Sequence, residues 1–285
     1  MSISPQDFDY VRSLVCDQAG IVLENGKEYL VESRLVPLAK RHGYDSIDTL
    51  LVALRRADAT LRRTVVEAMT TNETTFFRDI EPFEALRKHV VPELLAARSA
   101  SRELRIWYGA SSTGQEPYSV VMMLLQHFPQ LANWNVTHHA TDISLEVLER
   151  ARQGKYNQIE MNRGLPVAYL VKYFEKCGLE WQLKPVVRDK VRFEQMNLVK
   201  PWPALPVFDI VMLRNVMIYF DIEAKKQILG KIRRQLRPDG YLFLGGAETT
   251  MGLDDSFRRM QFDRAGCYRT SEAAAGLSMA TRGAA

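Results

Sequence analysis

The run Leu104-Arg105-Ile106-Trp107-Tyr108-Gly109-Ala110-Ser111-Ser112-Thr113-Gly114-Gln115-Glu116-Pro117 passes from an apolar strand pattern, Leu104–Tyr108, through small residues into a helical pattern from about Glu116. A strand that turns through small residues into a helix is the opening unit of a parallel α/β sheet. Small residues there let backbone amides approach a ligand, and the helix N-terminus favours an anionic group such as a carboxylate. The turn has only Gly109 and Gly114 and lacks the Gly-x-Gly-x-x-Gly dinucleotide pattern. By itself it fits a ligand-binding turn and a plain tight turn equally.

Downstream, the alternation continues. Val136–Thr141 reads as a strand followed by a helix from Leu145, and Val207–Leu213 as a strand leading to the helix Ile222–Arg237. Arg237-Pro238-Asp239-Gly240 ends that helix, and Tyr241–Leu244 reads as a further strand. Strand–helix alternation predicts a parallel sheet covered on both faces. Between Lys155 and Met196 the pattern breaks into a helical piece near Val167–Lys176, then Trp181–Val187 and Val191–Gln195 separated by Arg188-Asp189-Lys190. This predicts an antiparallel hairpin inserted into the α/β domain.

Upstream the periodicity is helical. Ser4-Pro5 has N-cap and first-turn residue types, Phe8, Val11, Leu14 and Val15 share one face, and Gly20 can close the helix. Further helices are predicted over Lys27–His42, Ser46–Arg56, Thr60–Met69 and Ile80–Arg98. The expected organisation is a helical domain over 1–70, a linker and connecting helix over 71–98, and an α/β domain over 99–270 with a small β-subdomain at about 155–196. The Ala-, Gly- and Ser-rich tail 271–285 is expected to be disordered.

The 285 residues suit roughly two domains, and 46% hydrophobic with 25% charged residues exclude collagen-like, disulfide-scaffold and wholly disordered classes. Cys16, Cys177 and Cys267 are odd in number and form no Cys-x-x-Cys pair, which favours a reducing cytoplasm and argues against a cysteine zinc site. No apolar run approaches the ~20 residues of a membrane span, and the N-terminus has no basic-then-apolar leader. A net charge of +4 is too mild to argue for nucleic acid and suits an acidic partner equally.

Several residues stand where an α/β crevice holds ligands. Asp142, at the end of the second strand, can accept hydrogen bonds from ribose hydroxyls or cap the next helix; beside the small-residue turn, the nucleoside reading is the stronger. Asn197-Leu198 would end a third strand, where an asparagine can meet an adenine edge or serve as a loop residue. The fourth strand ends in Leu213-Arg214-Asn215-Val216-Met217-Ile218-Tyr219-Phe220-Asp221. The connector Thr70-Thr71-Asn72-Glu73-Thr74-Thr75-Phe76-Phe77-Arg78-Asp79 is crowded with hydroxyls and aromatics, so it packs in an interface or lines the site. His138 and His139 alternate across a strand and cannot share a metal, while His42, His89 and His127 lack spaced partners; no metal is expected.

Between residues 34 and 63 stand Arg34, Lys40, Arg41, Arg55, Arg56, Arg62 and Arg63 against Asp45, Asp48 and Asp58. The stretch fits a solvated helix face or a docking face for an acidic helix.

Thr71–Arg78, Ala110–Ser119, Ala140–Ile143, Asn197-Leu198 and Arg214–Asp221, in this order, resemble the CheR family of chemotaxis receptor methyltransferases over about residues 5–270. The resemblance implies a Rossmann-like methyltransferase domain behind the helical domain. It also implies transfer of a methyl group from S-adenosylmethionine to glutamate side chains of chemoreceptors, giving glutamyl methyl esters and S-adenosylhomocysteine. By motif it implies cofactor contacts at Asn72, Thr74, Arg78, Ala110, Glu116, Asp142, Asn197, Leu198, Arg214 and Asn215, and places Arg78 and Tyr219 at the reacting centre. Gln115 stands where many relatives carry an acid, which leaves Glu116 as the contacting group.

The chemistry accounts for the scarcity of acid–base machinery, because a glutamate carboxylate is already ionised at neutral pH. The receptor is expected to dock on the basic face, with no nucleic acid and no membrane insertion, and the protein to be a cytoplasmic monomer. Lys176-Cys177-Gly178-Leu179-Glu180 carries a single glycine where tether-binding relatives have a longer glycine-rich loop, so weak or absent binding of a receptor-tail pentapeptide is expected. Alternatives are a non-catalytic cofactor-binding module on the same fold, a methyltransferase of a related surface-sensing pathway, and a nucleic-acid methyltransferase. The last lacks an Asn/Asp-Pro-Pro-aromatic motif after the fourth strand and a Pro-Cys pair.

Overall fold

The computed structural model of the chain describes residues 3–56 and 59–271. Four helices open it: α1 (Pro5–Ala19), α2 (Glu28–Arg41), α3 (Ile47–Arg56) and α4 (Ala59–Ala68). The Ser4 hydroxyl accepts the Asp7 amide at the head of α1, and Gly20 closes it at φ 69°. A side chain at Gly20 would be strained by that φ, and its Cβ would also stand 2.6 Å from Val199, so only glycine lets this end meet the loop below it. Val11, Val15, Val31, Leu35, Leu50, Leu51, Leu54 and Val65 are fully buried in the helices' own core, each worth about 1.5–3 kcal/mol against exposure.

The connecting segment is not the single helix expected over Ile80–Arg98. It comprises α5 (Ile80–Ala85), a π-helical turn (Leu86–Val90) and α6 (Val91–Ala97). Pro92 lacks the N–H that would bond to the carbonyl of residue 88, and the helix widens by one turn just before it.

Next come β1 (Glu103–Gly109), α7 (Gln115–His127), β2 (Asn135–Asp142) and α8 (Leu145–Gln153). An excursion follows through β3 (Lys155–Asn157), α9 (Gln158–Asn162), α10 (Val167–Tyr173), β4 (Phe174–Cys177), β5 (Glu180–Leu183) and α11 (Pro185–Arg188). The chain then makes β6 (Val191–Gln195), β7 (Phe208–Leu213), a 3-10 turn (Met217–Tyr219), α12 (Ile222–Gln235), β8 (Leu236–Leu244), β9 (Phe257–Phe262) and β10 (Ala265–Thr270).

The main sheet has the order β6-β2-β1-β7-β8-β10-β9, with the first five strands parallel and the last two antiparallel to their neighbours. Every residue of β7 is buried, as expected of a central strand covered on both faces. A Rossmann-like α/β sheet behind a helical domain is therefore the observed architecture.

The predicted hairpin is corrected. Trp181 pairs with Tyr156 and Lys176 in a separate antiparallel sheet of order β3-β5-β4, whereas Val191–Gln195 joins the main sheet in parallel, Phe193 opposite Ala140. Pro185 explains the difference: it cannot donate to a ladder, and it starts α11 instead of continuing β5. The β4–β5 turn is Gly178-Leu179, with Gly178 at φ 62°. Strands β9 and β10 were not foreseen, because their alternation is interrupted by arginines and follows the last strand–helix unit. The expected tail falls outside the described residues except for Ser271, as does Asp58.

Asp209 on β7 is fully buried, with Arg98 Nε at 2.8 Å, Arg237 Nε at 3.1 Å and the Arg105 amide at 2.8 Å. The Arg98 guanidinium also donates to both oxygens of Asp239 and thereby holds that carboxyl below its ordinary range. Replacing Arg98 leaves Asp209 with a weaker set of partners in the interior, so Arg98→Met is expected to cost about 3 kcal/mol. The urea-denaturation midpoint measures this; an unchanged midpoint contradicts it.

Candidate functional site

One cavity opens at the carboxyl ends of β6, β2, β1 and β7 and holds about 890 Å³ of empty space, its mouth included. It lies where the strand order reverses between β1 and β7, the usual place for a ligand in an open α/β sheet. All the residues singled out by sequence line it: Asn72, Thr74 and Arg78 from the connector, and Ala110 and Glu116 from the turn into α7. Asp142 comes from β2, Asn197 and Leu198 from the segment after β6, and Arg214, Asn215 and Tyr219 from the segment after β7. Ala19 and Ile21 add a wall from the helical domain that the motifs did not reveal.

The connector packs in the interface and lines the site at once. Phe76 is fully buried edge-on against Tyr156 and Phe174 of the small sheet, and Phe77 packs on Phe83 and Tyr169. Its backbone is pinned at several points: the Phe77 amide donates to Ser119 Oγ, and Ser112 Oγ donates to the Asn72 carbonyl. Arg34 donates to the Met69 carbonyl and to Thr71 Oγ1, so this arginine is turned inward and leaves the proposed basic docking face. Arg78 sends one hydrogen bond back to the Glu73 carbonyl at 3.0 Å. Among the described residues its guanidinium makes no other hydrogen bond, its charge acts on the Glu73 carboxylate, and it lines the cavity.

Asp142 is buried, and its two oxygens accept the Ser112 amide at 2.8 Å and the Ser144 amide at 3.0 Å. Burial raises its carboxyl above the ordinary value against the pull of these amides. The helix-cap alternative does not hold: Ser144, not Asp142, caps α8. Asn197 sits on the cavity wall with its amide engaged, Nδ2 donating to the Gln18 carbonyl and Oδ1 accepting the Val199 amide. It thus ties the end of α1 to the sheet.

Arg214 is the most committed group. Its side chain is 2% exposed, Nη1 donates to Glu116 at 2.6 Å, and Nη2 donates to Asp79 and to the Arg78 carbonyl, both at 2.9 Å. Asp79, which the motifs left unassigned, therefore braces the wall from behind through Arg214. Tyr219 accepts the Val22 amide on its carbonyl, beside an Ile21–Phe220 bridge, and its phenol lies near enough to the Arg34 guanidinium to interact with its charge.

Phe77, Asp79, Ala110, Ser112 and Asn215 adopt positive φ between 48° and 58°, five of the seven described non-glycine residues that do so. Such conformations persist only where surrounding contacts over-determine them, and here they cluster around one cavity.

His138 is buried against the Tyr108 hydroxyl with its pKa pushed down to about 3 by burial, and His139 pairs with Glu194. No cluster of metal-ligating side chains is found among the described residues.

Residues 72–265 match the family profile described as CheR methyltransferase, SAM binding domain, and residues 6–70 match that described as CheR methyltransferase, all-alpha domain. Chemotaxis protein methyltransferase 1 of Pseudomonas aeruginosa is 41% identical over 274 residues, 94% of this chain and 99% of its own. Chemotaxis protein methyltransferase Cher2 of Pseudomonas putida is 40% identical over 267 residues, 92% of this chain and 96% of its own. Among solved structures, a TehB-like SAM-dependent methyltransferase from Corynebacterium glutamicum overlaps 67% of this chain and 96% of its own, at 12% identity and a TM-score of 0.38. With both profiles matched in order across nearly the whole chain, this protein belongs to the CheR family of S-adenosylmethionine-dependent methyltransferases.

Proposed function

We propose that the cavity transfers a methyl group from S-adenosylmethionine to the side-chain carboxylate of glutamates on chemoreceptor helices, giving glutamyl methyl esters. The observation that carries this reading is the presence of the Arg78 guanidinium, held by a single hydrogen bond, and of Tyr219 on the wall of one cavity at the carboxyl ends of the parallel strands.

The residues present fit the cofactor. Among the described residues Ser111 Oγ is buried on the cavity wall without a hydrogen-bond partner, and Asp142 keeps lone pairs beyond the amide bonds it accepts, which suits ribose hydroxyls. Ile143, Met196 and Leu198 supply apolar surface for a purine. The lining carries Glu73, Glu116 and Asp142 against Arg78 and Arg214, a formal charge of −1 that complements a cofactor with one net positive charge.

When bound, S-adenosylmethionine supplies a methyl group on a sulfonium, an activated leaving group. The protein's residues align and desolvate. Arg78 orients the incoming carboxylate with its planar fork, and Tyr219 positions it by packing or hydrogen bonding. No side chain need remove a proton, because the acceptor is ionised beforehand. Arg78 must steer without gripping, since ground-state binding alone does not speed transfer.

Ile21, Thr71, Tyr219 and Phe220 also line a neighbouring outer groove with the exposed Tyr29, Ile218 and Ile222, which offers the receptor helix a path to the reacting centre. Docking on the basic face falls to Lys40, Arg56 and Arg62, which make no ion pair among the described residues. Arg55 is held by Asp7, Arg63 lies 3.7 Å from Glu67 and Arg41 lies 4.0 Å from Glu146. We place the protein in the cytoplasm: Cys16, Cys177 and Cys267 are unpaired, and no described helix is long and apolar enough to cross a membrane.

Arg78→Ala is expected to abolish base-labile tritium transfer from labelled cofactor to receptor membranes, while calorimetry still detects much of the S-adenosylhomocysteine binding; unchanged receptor labelling contradicts the assignment. Because burial raises the Asp142 carboxyl, affinity for S-adenosylhomocysteine falls on acidification from a higher pH than an ordinary carboxylate dictates. In the ligand-free protein the sign reverses: the folded state takes up that proton more readily than the unfolded chain, so this group adds stability as pH falls. Asp142→Asn is expected to flatten the binding profile and weaken binding by roughly 10- to 100-fold; a profile as steep as wild type contradicts the role. The short Gly178-Leu179 turn supports independence of a receptor-tail tether, so calorimetric titration with such a pentapeptide is expected to give no micromolar binding, and a micromolar isotherm refutes it.

A further inference from the structure

The segment after β7 carries Arg214, Asn215 and Tyr219 into the cavity, yet it lies outside both β7 and α12. Its amides need acceptors, and one side chain supplies them. Glu248, beyond the end of β8 and 9% exposed, accepts the Asn215 amide at 2.9 Å and the Gly245 amide at 2.6 Å on Oε2. On Oε1 it accepts the Met217 amide at 2.7 Å and the Ile218 amide at 3.3 Å. Four N–H groups converging on one carboxylate form a charge-assisted clamp between two sheet-end loops. Gly245 leaves the room it needs: a Cβ there would stand 2.7 Å from Asn215 Nδ2 and 2.8 Å from Glu248 Oε2.

We propose that Glu248 is a positioning residue of the methyl-transfer site: its carboxylate holds Asn215 at φ 58° and seats the Met217–Tyr219 turn so that Tyr219 meets the cavity. The inference rests on the reading of the cavity given above. The role requires a carboxylate. A glutamine at this position presents one oxygen and one NH2 group, and in either orientation two of the four amides lose their acceptor and face a donor. Aspartate keeps the charge but is one methylene too short to reach both loops at once.

The test compares wild type with Glu248→Gln, Glu248→Asp and Gly245→Ala. Glu93→Gln serves as control, since it removes a carboxylate that binds Arg269 and the Tyr241 hydroxyl without lining the cavity. Methyl-transfer kcat and KM on receptor membranes are measured at temperatures well below each unfolding midpoint, with amide hydrogen exchange of residues 215–218.

Glu248→Gln and Gly245→Ala are expected to lower kcat by about 100-fold, the scale of an ångström-sized misplacement, and to speed exchange in that segment. Glu248→Asp recovers part of both losses. Glu93→Gln shifts the unfolding midpoint but keeps kcat within about twofold and leaves that segment protected. Wild-type kcat and protection in Glu248→Gln overturn the proposal, as does an equal kcat loss in Glu93→Gln. If Glu248→Gln does not fold, Gly245→Ala and Glu248→Asp decide by the same two readouts. A wild-type protein that methylates no receptor refutes the functional reading instead, and the exchange comparison still decides whether the clamp holds the segment.

Discussion

A guanidinium almost sealed from water joins three of the parts that make the cavity. Arg214 leaves the end of β7, meets Glu116 at the head of α7, and reaches Asp79 and the Arg78 carbonyl in the connector. Burying an arginine is unfavourable unless its charge is answered, and two carboxylates answer it here. Loss of Arg214 would leave two carboxylates facing each other and remove the connector's tie to the end of β7 at Arg78 and Asp79. The connector's position, and with it the placement of Arg78, depends on this triad.

The pinned connector in turn permits the strained backbone around the site. Phe77 and Asp79 hold positive φ values, which a phenylalanine rarely adopts, and the Phe77 amide finds its acceptor on Ser119. Ala110, Ser112 and Asn215 repeat the pattern on the sheet side. A reaction that needs alignment more than proton transfer gains from a rigid frame, since each free rotation at the reacting groups lowers the fraction of productive encounters.

Much of this was legible in the sequence because the signals were local. The small residues of Gly109–Gly114 between strand and helix, the acid ending β2 and the polar run after β7 each announce a strand end in a parallel sheet. What could not be read depended on distant partners. Val191–Gln195 carries a strand pattern, but nothing in it says whether it pairs with Trp181 or with β2; Pro185 held the clue, since a ladder cannot tolerate its missing N–H. Arg34 reads as one basic residue among seven, and only the fold turns it toward Met69 and Thr71. Glu248 follows two glycines and an alanine, a context that carries no motif, and three of its four amide donors come from a loop roughly thirty residues away in sequence, the fourth being the nearby Gly245.

The Ile21–Phe220 bridge and the Val22–Tyr219 hydrogen bond make one side of the cavity by joining an early segment to one that follows β7. During synthesis the helical domain can assemble as soon as it leaves the ribosome, because its core is its own. The pocket has to wait until the translated chain runs past Tyr219. A chain terminated before Tyr219 therefore carries the residues of the helical domain's own core but lacks one wall of the cavity.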